Sequence, residues 1–128
     1  PYNVPPEHTA IARAAVGPDK LVAPEVAVVL ERDPAKARAL ARASLKGYAA
    51  LPNYTNNWLR SGLSEEDVAQ LSDRLVDRLV GWGEPERIAA LVREHHDAGA
   101  DHVCIQPVST EGPLTLDWNL LEALAPNA

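Results

Sequence analysis

Gly99–Ala100–Asp101–His102–Val103–Cys104–Ile105–Gln106 decides the fold. A helical pattern runs into Gly99, an apolar run starts at once, and Gln106–Pro107 hands over to polar and turn residues. A helix fed straight into a short apolar run is how an α/β protein enters a parallel strand covered by helices. Ligands gather where such strands end. Cys104 lies inside the run with no lysine, arginine or spaced cysteine to lower its pKa, so it reads as a small buried apolar residue.

Working outward, Leu21–Leu30 is the other strand, mostly β-branched from Val26 to Val29 and entered past Pro24. Asp33–Pro34 supplies an N-cap and a first helical residue. The stripe Ala37, Leu40, Ala41, Ser44, Leu45, Tyr48 and Leu51 then predicts one helix as far as Pro52. An earlier helix opens at Pro6–Glu7 and stops at Gly17–Pro18. Pro52–Trp58 is polar with two aromatics and no clear period, readable as a short helix or a loop. Ser64–Asp67 is close to a capping box, and Ser72–Asp73 offers a second cap that permits a break in the stripe Val68, Leu71, Leu75, Leu79. Gly81–Trp82–Gly83 reads as a glycine hinge that positions Trp82. Glu84 and Glu86 in the next turn oppose a phosphate loop there. The next helix starts at Glu84–Pro85–Glu86, turns Ile88, Leu91, Val92 and His95 inward, and ends at Gly99. A polar turn at Ser109–Gly112 and a helix near Leu116–Leu124, ended by Pro126, complete the chain.

Two strands flanked by helices form parallel βα units, and the crossover between them is long against the roughly 30 residues of a whole βαβ unit. A two-stranded parallel sheet cannot cover its faces or satisfy both edges alone. Further strands are therefore expected from elsewhere, with residues 1–128 a segment of one larger α/β domain.

The 128 residues suit a single core, built without Phe or Met. Twelve basic against 18 acidic residues give a net charge of −6 with no basic stripe, so no nucleic-acid partner is expected. One cysteine excludes an intrachain disulfide and suits a reducing cytoplasm, the expected compartment. No apolar run reaches the roughly 18 residues of a membrane span, so no membrane partner is expected. His95, His96 and His102 crowd with Glu94, Asp97 and Asp101, yet adjacent histidines on a helix point about 100 degrees apart, so no metal site is expected. The strand ends remain as candidates: Glu31–Arg32, Gln106–Pro107–Val108 and, if a strand precedes Pro1, Tyr2–Asn3. Tyr2, Asn3 and Gln106 are thus the candidate cofactor- or substrate-binding residues, by rim location alone.

Pro1–Tyr2–Asn3–Val4–Pro5–Pro6–Glu7–His8–Thr9, Leu51–Pro52–Asn53–Tyr54–Thr55–Asn56–Asn57 and Asp73–Arg74–Leu75–Val76–Asp77 resemble segments of luciferase-like oxidoreductases. So does Gly83–Glu84–Pro85–Glu86–Arg87–Ile88 running into Asp97–Ala98–Gly99–Ala100–Asp101–His102–Val103. The resemblance is closest to the branch that uses the deazaflavin coenzyme F420. It implies the C-terminal portion of a (β/α)8 TIM barrel: the last two parallel strands with their helices and a helical insertion. Pro1 would follow the sixth strand, Leu21–Leu30 would be the seventh and His102–Ile105 the eighth, its outer edge lacking the barrel's first strand. The implied activity is hydride transfer between reduced F420, or FMN in sister branches, and a small-molecule substrate, the protein orienting the ring and excluding water. Most coenzyme contacts would lie upstream, so this segment alone would be inactive, and no catalytic residue of the family carries over. A homodimer is expected of the full-length protein. The other readings are an FMN-dependent monooxygenase of the same superfamily and a catalytically silent helical interaction module.

Overall fold

In the computed structural model, which describes residues 1–109 and 115–125, a central strand β1 (Glu25–Val29) runs between β2 (Val80–Trp82) and β3 (Cys104–Pro107). Both neighbours are parallel to it, and Ala27 stands opposite Val80 on one side and Gln106 on the other. The helices are α1 (Pro6–Val16), α2 (Pro34–Leu45), α3 (Pro52–Arg60), α4 (Glu65–Gln70), α5 (Asp73–Leu79), α6 (Pro85–Asp97) and α7 (Trp118–Leu124).

Alternation along β1 builds two cores. Ala27 and Val29 join Val80 and Trp82 beneath Ala37, Ala41 and Leu45 of α2, with Trp58, Leu75, Val76 and Leu79 completing the cluster. Val26 and Val28 face the other way, onto Ile88 and Leu91 of α6 and Leu120 of α7. Both faces of β1 are therefore dry, which is why its sequence is a continuous apolar run. Two alanines let α2 approach the sheet closely, and Leu45, fully buried, contributes about 2 kcal/mol.

The α/β class and parallel pairing agree with expectation, but the strand count does not. Val80–Trp82 is a third strand, hidden because α5 passes into it with no turn between. Gly81 is accordingly not a hinge. A Cβ there would lie 3.3 Å from both Ile88 Cγ2 and Val28 Cγ1, so its bareness lets α6 pack on the sheet. The turn falls to Gly83, at φ +106°. The two strands expected as neighbours in a (β/α)8 barrel, β1 and β3, do pair in parallel, and β2 adds to the other edge of β1. The long α2 is also corrected: it stops at Leu45, and a 3-10 turn, Tyr48–Ala50, redirects the chain. Pro52–Arg60 is a helix, and the stripe after Ser64 breaks at Leu71, which takes a left-handed conformation (φ 46°) between α4 and α5. Residues 110–112 of the expected polar turn, and Pro126, lie outside the described residues.

The Gly99 junction forms as read, although its strand is less covered than expected. Gly99 has φ +102°, and a Cβ on it would meet Arg13 Cγ at 2.9 Å. Arg13 donates from Nε to the Gly99 carbonyl at 2.9 Å and pairs with Asp101. The Asp101 carboxylate accepts the Val22 N–H at 2.8 Å, and this bond, with Arg13, holds its pKa below the usual range. Backbone bonds from Asp101 to Val22 and from Cys104 to Pro24 then lay β3 beside β1. Among the described residues no strand pairs with the outer edge of β3. Cys104 and Gln106 are exposed, so Cys104 is not the buried residue the sequence implied: β3 is an edge strand with one face open.

Candidate functional site

Tyr2 forms an isolated parallel bridge with Glu25, the first residue of β1, whose N–H donates to the Pro1 carbonyl at 2.8 Å. The Tyr2 hydroxyl donates to Gln106 Oε1 and accepts from the Tyr48 hydroxyl at 3.2 Å. Gln106 lies within β3, level with Ala27. The two candidates therefore meet beside the exposed side chains of the edge strand β3. Tyr48 and Tyr54 close around Tyr2 edge-on, with ring centroids 5.2 Å (Tyr2–Tyr48), 6.5 Å (Tyr2–Tyr54) and 4.8 Å (Tyr48–Tyr54) apart. Burial, followed by the bond from Tyr48, pushes the Tyr2 phenol pKa well above its ordinary value, so at neutral pH it is an uncharged donor.

Asn3 plays another part. It is 1% exposed, in the left-handed region at φ 50°, and its carbonyl accepts the Trp58 indole N–H at 2.7 Å. It anchors α3 behind the aromatic cluster and does not join Tyr2 and Gln106 beside β3. Its Nδ2 is buried with no partner among the described residues.

Beside Tyr2 a cleft of about 230 Å3 opens, lined by His8, Asn53, Tyr54, Asn57 and Arg60 among others. Asn53, Asn57 and Arg60 recur at helical spacing and so share one side of α3. The His8 pKa is lowered, first by burial and also by Arg60 nearby, with Asn57 acting against them. Sequence reasoning missed His8, Tyr48, Tyr54, Asn57 and Arg60 as neighbours of Tyr2. The signal was present in the polar, aromatic stretch 52–58, which lacks the stripe of a purely structural helix.

The histidine-rich region does something different. His95 is fully buried, its Nδ1 sharing a hydrogen bond with Thr9 Oγ1 at 2.9 Å, while Nε2 has no partner among the described residues. Burial pushes its pKa down to about 4. Among the described residues no three His, Cys, Asp or Glu side chains are grouped to hold a metal ion. No helix among them is long and apolar enough to cross a membrane.

A parallel α/β sheet covered by helices is the class of scaffold on which (β/α) enzymes place ligands, at the carboxyl ends of the strands. The family model described as luciferase-like monooxygenase matches residues 6–102, and the chain belongs to that family. Among solved structures it is similar to an F420-dependent secondary alcohol dehydrogenase in complex with an F420-acetone adduct, at 14% identity and a TM-score of 0.56. That likeness, one of fold, covers 98% of this chain and 42% of the dehydrogenase, so the chain spans under half of that protein's length. No curated protein matches.

Proposed function

We propose that the chain is the C-terminal segment of a luciferase-like barrel whose protein is an oxidoreductase transferring a hydride between reduced coenzyme F420 and a small organic substrate. The observation that carries this reading is the family match over residues 6–102. The choice of F420 is supported by the ligand of the similar dehydrogenase and by the F420-branch resemblance of Leu51–Asn57.

The residues present fit one edge of a planar, polar-rimmed ring. Gln106 and Cys104 alternate onto the same exposed face of β3. With its oxygen engaged by Tyr2, the Gln106 amide offers N–H donors to a ring carbonyl over that face. Tyr48 holds the Tyr2 hydroxyl, and the Tyr2–Tyr48–Tyr54 cluster excludes water from one flank. The coenzyme, when bound, supplies the hydride chemistry, and the side chains of this chain orient it and keep the Tyr2 proton in place.

Membership of the luciferase-like monooxygenase family supports, as a second reading, an FMN-dependent monooxygenase. Thermal-shift titration of the protein containing this chain separates the two. F420 at a hundred times its Kd stabilises by about 2.7 kcal/mol, and FMN does not. Stabilisation by FMN alone would overturn the F420 assignment.

A further inference from the structure

His95 is a buried titratable group that the candidate site does not use. It and Thr9 are both 0% exposed, and the bond between them crosses the contact of α6 with α1. Nε2 is buried with no partner among the described residues. A neutral imidazole carries one N–H, whereas the imidazolium donates from both nitrogens and needs an acceptor at each. The nearby carboxylates are already committed: Arg78 of α5 donates both to Glu7 of α1 and to Glu94 of α6. His96 is the other titratable neighbour on α6, β2 carries no charged side chain, and α7 carries the exposed Glu122. The charged ring is therefore accommodated only when His95 reaches water, and α1 is the element that covers its Nδ1 edge. That helix is lightly attached. Only Pro6 and Thr9 of its 11 residues are buried, against four of five in β1. Polar contacts tie it down: Thr9 to His95, Glu7 to Arg78, and Arg13 to Gly99 and Asp101. An element with so little buried surface opens at a lower free energy than the core.

We propose that His95 and Thr9 form a proton-sensitive clasp: protonation of the imidazole releases α1 from α6 while the sheet stays folded. Neutral His95 lies closed against Thr9, and the imidazolium, with no acceptor for Nε2, is stable only in the open form. Burial holds the pKa of the closed form down at about 4, against an ordinary 6.5. Opening therefore takes up a proton and becomes easier as pH falls between those values. From pH 7 to pH 5 the opening constant rises about twenty-fold through His95 alone. His8, on α1 and also lowered by burial, pushes in the same direction. Because His8 lines the cleft beside Tyr2, release of α1 also opens that cleft. The clasp does not depend on which coenzyme the protein uses.

Amide hydrogen exchange of the protein containing this chain, at pH 7 and pH 5, tests the clasp. Rates are expressed as protection factors, which removes the pH dependence of the exchange chemistry itself. The amides of residues 10–16 are expected to be less protected than those of β1 at both pH values, because α1 opens without the sheet. Their protection should fall about twenty-fold more in the wild type than in H95N, which still folds an atom toward Thr9 but takes up no proton. Equal protection of α1 and β1 would overturn the proposal, since opening would then be global. Equal falls in the wild type and H95N would overturn it as well, since His95 would not be the sensor. Ring-proton NMR of the wild type needs no variant: the His95 imidazole should titrate near 4, and a value near 6.5 would mean that α1 never shields it. Failure of these tests leaves F420 binding untouched, and failure of the F420 titration leaves the clasp standing.

Discussion

His95 makes stability depend on pH in a direction the structure dictates. The imidazole is fully buried on α6, bonded through Nδ1 to Thr9 of α1. Burial is the main cause of its low pKa; Arg78 on α5 and His96 lower it further, while Glu7 and Glu94 act against them. In the folded chain it titrates at about 4 against an ordinary 6.5. Between these values the unfolded chain binds a proton that the folded chain refuses, so stability falls as pH falls through that window. A gap of this size is worth about 3 kcal/mol when fully expressed, and about 2 kcal/mol between pH 7 and pH 5. His8, also lowered by burial, acts in the same direction, so a variant is needed to isolate His95. His95→Asn keeps an atom within reach of Thr9 and removes the titration. Urea unfolding at pH 7, 6 and 5 should show the wild type losing about 2 kcal/mol more than H95N. Parallel losses in the two proteins would refute the reasoning, because the pH dependence would then lie elsewhere.

The remaining predictions concern the scaffold and the tyrosine cluster. Gly99→Ala is expected to cost about 1–3 kcal/mol in a urea midpoint measurement, because it puts a side chain at positive φ and drives Cβ into Arg13; an unchanged midpoint would mean that the junction tolerates another backbone path. Trp58→Phe should cost about 1–3 kcal/mol by leaving the buried Asn3 carbonyl without its indole donor. Loss of stability in Trp58→Phe no larger than in an exposed Leu59→Ala control would count against that anchor. Tyr2→Phe frees Gln106 and should weaken coenzyme binding several-fold while shifting Tm little, since Gln106 is exposed; equal affinity would remove Tyr2 and Gln106 from the site.

What was legible in the sequence was whatever local chemistry enforces. Asp33 caps α2 by accepting the N–H groups of Ala35 and Lys36, as its place before Pro34 implies. Ser64 and Asp67 close a full capping box, and Gly99 ends the α6 segment in the conformation that favours glycine. β2 was not legible, because three residues carry no period and Val80–Trp82 become a strand only through pairing with β1. The burial of β3 was misjudged for a similar reason: an apolar run does not say whether a neighbour covers it. Tyr2 and Gln106 were chosen singly by position. Their meeting depends on the β1–β3 register and on the 3-10 turn that brings Tyr48 across, neither of which a local pattern records.

The most direct test of the central claim is coenzyme affinity, measured by equilibrium titration of the protein containing this chain with F420 and with FMN, for wild type and Tyr2→Phe. The account predicts that F420 binds more tightly than FMN and that the substitution weakens F420 several-fold. Tighter binding of FMN, or F420 affinity indifferent to Tyr2, would contradict it.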